Sequence, residues 1–544
     1  MQKNVGNSQQ KILLGLALIP GIFWLFHALN LNMWWDEVSS LRGFILVDPK
    51  ETVTNYEEAN NHVFFNLLSN LFTLLIGKRD FLYHLQHPYI LRLPFVIVGI
   101  GTAIYVVKFA KRFLNVASSA LPLLVLLTTI PFLNFVLQLR GYGLSMFFTA
   151  MLVYYVYAFV EKRGWFNAAF IIISTFGLLY TIPSNVYLFF GIGVVMLKQV
   201  LFPKANRPKS IIEFLKSPQV SVVLLVTLGV GITVLAYYPI LDSILNNRTV
   251  SKTPAEREYV LATIMPAVFW AIISWRVLVF IPLIKNIKNL KIYPNELLLM
   301  AISVFLLSFA MNHMPFQRTF ANLIPVLALY FTGIANQLIS TSKNATRTNY
   351  LVSAYLILTL FVAHIAFQFM FKKDLEVGKK EQGMLMNYST SNHFKFNKES
   401  KEIGKLIPEN AAVLLTQEED RPAIMYSLHC FGVYPYAMNK IAKDPSSTKQ
   451  QTVYKINIHE GNKPEIERPY KLYTIPLQGV SDYKQSNFTP LFLLIEQTDN
   501  RNEYYFVVNY TKAFEKEYSF NIANRWKIEK IFKGDYLHAY RVYK

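Results

Sequence analysis

Two adjacent carboxylates, Asp36 and Glu37, follow two indoles, Trp34 and Trp35, directly after an apolar run from Ile12 to Leu31. A run of 20 such residues makes a helix about 30 Å long, enough to cross a bilayer. The acids then stand where that helix leaves the hydrocarbon, with the indoles at the depth that suits amphipathic rings. A carboxylate at that border can accept a proton from a hydroxyl; the competing reading is an aromatic belt beside solvated acids. Three further segments put a guanidinium at the end of an apolar run: Arg92-Leu93-Pro94, Gln138-Leu139-Arg140-Gly141-Tyr142-Gly143 and His313-Met314-Pro315-Phe316-Gln317-Arg318. In the first, Pro94 is expected in the opening turn of its helix, where no amide donor is needed. Such arginines either snorkel to the headgroups or converge as a bidentate cradle for a lipid phosphate.

The elements that must position these groups are apolar. Hydrophobic residues make up 53% of the chain and charged residues only 16%, with a mean hydropathy of +0.28, which describes a membrane protein carrying a soluble part. A formal charge of +20 would suit a nucleic-acid partner in a soluble protein, but its location argues against one. Residues 1–371 hold 28 Lys and Arg against 13 Asp and Glu, whereas residues 372–544 hold 26 against 21. The surplus belongs to the membrane half, and no nucleic acid is expected. The single cysteine, Cys430, excludes an internal disulfide and a thiolate zinc cluster. The first apolar run is too long for a signal-peptide core and no small-residue cleavage site follows it, so it reads as an uncleaved anchor.

Further apolar runs at roughly 92–110, 117–135, 143–160, 165–181, 183–201, 218–240, 263–284, 296–313, 319–339 and 350–371 bring the expected spans to eleven. With the N-terminus cytoplasmic, the inner loops collect Lys108, Lys111, Arg112, Lys162, Arg163, Lys285, Lys288, Lys291, Lys343, Arg347 and the cations between Lys198 and Lys216, as the positive-inside rule requires. Residues 372–544 are then extracytoplasmic. Asp36, Glu37, Asp48, Glu51, Glu57, Glu58 and Asp80 all fall in the first outer loop, a bias that topology does not demand and that chemistry at the outer surface would use. In the same loop Phe64–Ile76 is too short to span. His62, Asn66, Ser69, Asn70 and Thr73 recur there at helical spacing, which predicts an amphipathic interfacial helix with its polar stripe facing an aqueous cavity. The expected architecture is therefore an α-helical polytopic membrane domain over 1–371, followed by a small α/β extracytoplasmic domain over 372–544. In that domain Ala411–Thr416 and Pro490–Ile495 read as buried strands, Tyr504–Tyr510 alternates, and Ile528–Tyr543 reads as a closing hairpin.

A multi-span transporter of a lipid-linked or polar substrate is the alternative from another class. It would place ionisable residues near the midplane, for which Arg276 and His364 are the candidates, or show two related halves, and no internal repeat is visible. An exported binding module on a membrane anchor would need only one or two spans.

The order of four elements is more specific: a tryptophan-flanked Asp36-Glu37 after the first span, Asn61-His62 ahead of an amphipathic helix, Arg92-Leu93-Pro94 at the second span and Arg140-Gly141-Tyr142 at the fourth. In this the chain resembles the polytopic glycosyltransferases of the GT-C superfamily, in the family 39-like branch of the protein O-mannosyltransferases and the aminoarabinose transferase for lipid A, over roughly residues 10–335. The low-cysteine, Lys/Asn/Ile-rich composition suits a bacterial inner membrane, and the resemblance implies an integral membrane protein that moves a sugar, with inversion, from a polyprenyl-phosphate donor to a hydroxyl of a glycan, lipid or protein acceptor on the outer face. It implies Asp36 as general base with Glu37 organising the site, Arg140, Arg92, Arg318 and Tyr142 around the donor phosphate, and Asn61 and His62 ordering the loop or the acceptor. Val63, Phe64 and Phe65 depart from the prolines that follow this histidine in many relatives. No nucleotide is required, and a divalent metal ion is the one cofactor left open: some relatives bind one near this loop, for which Glu57, Glu58 and His62 are the available ligands.

Overall fold

The computed structural model describes residues 7–29, 33, 35–56, 61–202, 210–246, 295–310, 317–358, 396–408, 411, 413–415, 435–437, 457–461, 470–474, 502–509, 527–534 and 537–544. Glu57, Glu58, Arg276, His364, the run at 263–284 and the strand expected at Pro490–Ile495 lie outside the described residues. In chain order the helices are α1 (Asn7–Leu29), α2 (Trp35–Ser40), α3 (Pro49–Thr54), α4 (Val63–Leu75), α5 (Phe81–Gln86), α6 (Pro88–Phe113), α7 (Ala120–Leu127), α8 (Ile130–Val136), α9 (Tyr142–Glu161) and α10 (Trp165–Thr181). They continue with α11 (Val186–Leu201), α12 (Ile211–Leu215), α13 (Pro218–Ala236), α14 (Leu241–Asn246), α15 (Asn295–Ala310), α16 (Ile324–Thr341), α17 (345–358) and α18 (Phe396–Leu406). The chain packs as two units, one of Met1–Asn30, Gly43–Gly77 and Leu91–Thr390 and the other of Leu31–Arg42, Lys78–Ile90 and Ser391–Lys544.

The first unit is a helical bundle centred on α9, whose side chains are buried along nearly its whole length. Around it pack α10, α8, α13, α16 and a 3₁₀ turn at Gln317–Leu323. Pro88–Phe113, Tyr142–Glu161, Pro183–Leu201, Pro218–Ala236 and Phe320–Thr341 are long and apolar enough to cross a membrane, and Lys11–Phe23, Trp165–Thr181 and Glu296–Leu307 are shorter apolar stretches. The leucines and isoleucines on the outward faces of α6 and α13, among them Ile97, Leu224 and Leu235, are exposed, as side chains facing lipid would be.

Three expectations are corrected here. The run at 117–135 is not one continuous helix but α7 and α8, broken at Thr128–Thr129. The hydroxyls of Thr128 and Thr129 donate to the carbonyls of Leu124 (2.7 Å) and Val125 (2.8 Å), and Pro131 removes the amide that would have continued the ladder. Pro94 lies inside α6 rather than in its first turn, because Pro88 opens that helix and takes the position that needs no donor. The polar stripe of α4 faces protein, not a water-filled cavity: Asn66, Ser69, Asn70 and Thr73 are buried while Leu71, Leu74 and Leu75 are exposed. The reason is the irregular chain beneath it, whose carbonyls need donors wherever water is scarce. Asn70 Nδ2 donates to the Val47 carbonyl and to Thr52 Oγ1, both at 2.8 Å, and Thr52 Oγ1 donates to the Phe44 carbonyl at 2.7 Å.

In the second unit the five-stranded sheet runs β2 (Pro435–Ala437), β1 (Val413–Leu415), β5 (Glu503–Asn509), β7 (Leu537–Tyr543), β6 (Lys527–Lys533). β1 is parallel to β2 and β5, whereas β5–β7 and β6–β7 are antiparallel. A separate antiparallel pair joins β3 (Asn457–Gly461) to β4 (Tyr470–Thr474). Three of the predicted strand regions therefore recur as β1, β5 and the β6–β7 hairpin. Glu399 on α18 accepts from the Leu537 amide at 2.6 Å, fixing the turn of that hairpin. Asp36 and Glu37 occupy the first turn of α2, where free helical amides favour negative charge; Glu37 is buried and Asp36 half-buried.

Candidate anion-binding site at the start of helix α9

Within the first unit, the loop ahead of α4 meets the chain that enters α9. Asn61 organises that loop: its Nδ2 donates to the carbonyls of Thr52 (3.1 Å) and Asn55 (2.6 Å), and its Oδ1 accepts from Asn66 Nδ2 (2.8 Å). The backbone is thereby set so that His62, at the N-cap of α4, turns its imidazole toward residues 140–142. The Gly141 amide donates to His62 Nδ1 at 2.8 Å, and Arg140 Nη2 lies 3.2 Å from Nε2. The Tyr142 ring stands edge-on to the imidazole, with centroids 5.1 Å apart, and is backed by Phe135.

This geometry decides the tautomer. A neutral imidazole has one accepting nitrogen and one donating nitrogen. The Gly141 amide can only donate, so Nδ1 accepts and the proton sits on Nε2. Nε2–H then points toward a guanidinium that also only donates. The ring N–H of His62 and the Arg140 guanidinium are thus gathered at one place, donors of the kind that bind oxyanions. Arg140 and His62 are both buried, at 2% and 4% exposure, where an acceptor counts for more than it would in water. Nearby, burial pushes the Tyr56 hydroxyl up to about 12, with the Arg140 charge pulling it back, so Tyr56 stays neutral in the field of the arginine.

Gly141 and Gly143 are required by this packing. A Cβ on Gly141 would come within 2.5 Å of Thr181 Cγ2 and 3.1 Å of His62 Nδ1, and one on Gly143 within 2.6 Å of the Val136 carbonyl oxygen. Thr181 is a wall of the site that local sequence does not reveal, because nothing near it distinguishes it from other helical threonines. Arg92 is buried and its Nη1 donates to the Leu29 carbonyl at 3.2 Å, tying α6 to the end of α1. Arg318 lies in the 3₁₀ turn Gln317–Leu323, and its side chain is outside the described residues. Asp36 and Glu37 belong to the other unit. The structure thus brings together Asn61, His62, Arg140 and Tyr142. His62 does not fit a metal ligand: Nδ1 already accepts an amide proton, and a guanidinium stands at Nε2, where a cation would be repelled.

The bundle of apolar helices and the small mixed sheet together make a fold that solved structures also show. Among the solved structures it resembles are two of ArnT from Cupriavidus metallidurans. The apo form matches with a TM-score of 0.51 at 12% identity, covering 97% of each chain. The form bound to undecaprenyl phosphate matches with a TM-score of 0.51 at 12% identity, covering 99% of this chain and 98% of that one. At that identity the likeness is one of fold. No protein-family model matches the chain, and no curated relative matches it.

Proposed function

We propose that this protein is an inverting glycosyltransferase that moves a sugar from a polyprenyl-phosphate donor to an acceptor hydroxyl on the outer face of the membrane. The observation that carries the reading is the pair of donors at Arg140 Nη2 and His62 Nε2, 3.2 Å apart, in a chain whose fold resembles a protein solved with undecaprenyl phosphate. Asp36 takes the proton of the acceptor hydroxyl as its oxygen attacks the anomeric carbon. The bond from that carbon to the phosphate oxygen breaks, and polyprenyl phosphate leaves with the electron pair. Arg140 and His62 hold the oxygens on which that charge grows, and Tyr142 keeps the imidazole oriented. Both reactants are confined to one interface, so binding meets much of the entropy cost of their encounter. Glu37 organises the loop of Asp36, Arg92 and Arg318 add positive charge toward the donor, and Asn61 sets the loop that presents His62.

Transfer of radiolabel from an undecaprenyl-phosphate sugar to extracted envelope acceptors, in detergent, tests the reading. Asp36→Asn is expected to abolish transfer while leaving undecaprenyl phosphate binding intact, and Arg140→Ala to weaken that binding as well. Normal turnover by Asp36→Asn, or normal lipid binding by Arg140→Ala, would overturn the assignment.

A further inference from the structure

Among the described residues of the first unit, several buried polar side-chain atoms have no hydrogen-bond partner, including Asn66 Oδ1, Thr149 Oγ1 and Thr175 Oγ1, and a group of them lies at the α9 end of the bundle. Gln138 is 6% exposed, and neither its Nε2 nor its Oε1 has a hydrogen-bond partner. Asn322 is 3% exposed with Oδ1 unpartnered, Asn185 is fully buried with Oδ1 unpartnered, and Ser184 Oγ is in the same condition. These residues share one region. Gln138 lies between α8 and α9. Asn322 lies in the 3₁₀ turn that packs on both of those helices and on the turn Pro183–Asn185. Asn185 Nδ2 donates to Ser145 Oγ at 2.9 Å in the first turn of α9 and to the Leu178 carbonyl at 2.8 Å.

A buried polar atom that never finds a partner costs roughly 1–3 kcal/mol, and native proteins hold only a few. Several clustered at one end of a bundle call for a partner that arrives with function. That partner is uncharged and many-handed, since amides offer both a donor and an acceptor without charge, and a ring bearing several hydroxyls has that complement. Gln138 also lies two residues before Arg140, and two residues of chain reach at most about 7 Å, the scale on which a sugar ring extends from the phosphate it is joined to. We infer that Gln138 and Asn322 form the subsite that reads the hydroxyls of the donor's sugar, with Asn185 held in place beside them by Ser145. The inference rests on the donor-phosphate reading of Arg140 given above.

Gln138→Leu tests it, because the substitution nearly preserves shape and removes an unpartnered amide. Affinities are measured for bare undecaprenyl phosphate and for whichever of undecaprenyl-phosphate mannose and undecaprenyl-phosphate aminoarabinose the wild type binds more tightly, together with the unfolding temperature. The expected result is an equal or higher unfolding temperature, unchanged affinity for the bare lipid, and roughly tenfold weaker affinity for the sugar-bearing lipid, about the loss of one good hydrogen bond to a buried group. Asn322→Leu, measured the same way, is expected to shift the affinities in the same direction and serves where Gln138→Leu does not fold. Equal affinities of variant and wild type for the sugar-bearing lipid, or equal losses for both lipids, would overturn the subsite. A wild type that fails to bind bare undecaprenyl phosphate would instead sink the donor-phosphate reading, and this inference with it.

Discussion

Gly141→Ala isolates the contact on which the candidate site is built. Gly141 has φ −66° and ψ 0°, a conformation open to alanine, so backbone strain plays no part. Taken alone, the change would stabilise by about 0.4–1 kcal/mol through the unfolded chain. Against that, the new Cβ meets Thr181 Cγ2 at 2.5 Å and His62 Nδ1 at 3.1 Å. Overpacking of a tight interior costs about 1–3 kcal/mol, and loosening the 2.8 Å bond from the Gly141 amide to Nδ1 costs about 1 kcal/mol more. The net expectation is a loss of roughly 1–3 kcal/mol in stability. Undecaprenyl phosphate affinity should fall by about tenfold, since an imidazole that has lost its fixed tautomer no longer presents Nε2–H dependably. Thermal unfolding in detergent reads the first quantity and lipid titration the second. Thr181→Ser removes the methyl that makes the closer contact, so the double variant should recover part of the stability, and a thermodynamic cycle measures how much. If Gly141→Ala unfolded and bound lipid as the wild type does, the close approach of this backbone to His62 would not be what orders the site.

Further outcomes follow from individual contacts. Asn70→Leu removes the donor to the Val47 carbonyl and Thr52 Oγ1 and should cost about 1–3 kcal/mol, with faster amide exchange across residues 44–55; an unchanged unfolding temperature would refute the loop's dependence on α4. Arg92→Leu should lower stability through the lost bond to the Leu29 carbonyl and weaken undecaprenyl phosphate affinity about threefold through the lost positive charge, whereas unchanged affinity would remove Arg92 from the donor site. His84, in the second unit, has its pKa lowered by burial, against the opposing pull of the Lys78 carbonyl that takes its Nε2–H and of Asp80. A histidine whose folded pKa is depressed contributes stability above the unfolded value of about 6.5, and that stability is lost as the pH falls through the folded value. Unfolding followed from pH 8 to pH 5 should therefore show a decline at the acid end that His84→Gln reduces, and parallel curves for the two proteins would contradict it.

How much of this was legible beforehand depends on whether the signal was local. The apolar runs that became α6, α9, α11, α13 and α16 could be read because lipid imposes composition along a single element. The strands β1, β5 and the β6–β7 hairpin could be read because alternation and turn residues are local too. The break between α7 and α8 was written in Thr128-Thr129-Ile130-Pro131, and hydropathy averaged over it. The orientation of α4 was not available in that way. Periodicity identifies a polar and an apolar face but not which one is buried, and the usual sign reverses where the surroundings are apolar and the neighbouring chain is irregular. Then the asparagines turn inward to serve carbonyls and the leucines turn out. Arg140 and His62 show the same limit more sharply. Each is recognisable as a group able to do chemistry, but the tautomer that makes His62 a donor is set by the Gly141 amide. The need for glycine at that position is set by Thr181, at the far end of the next helix. Local sequence names the reactive groups, and their protonation and aim come from partners that only the fold supplies.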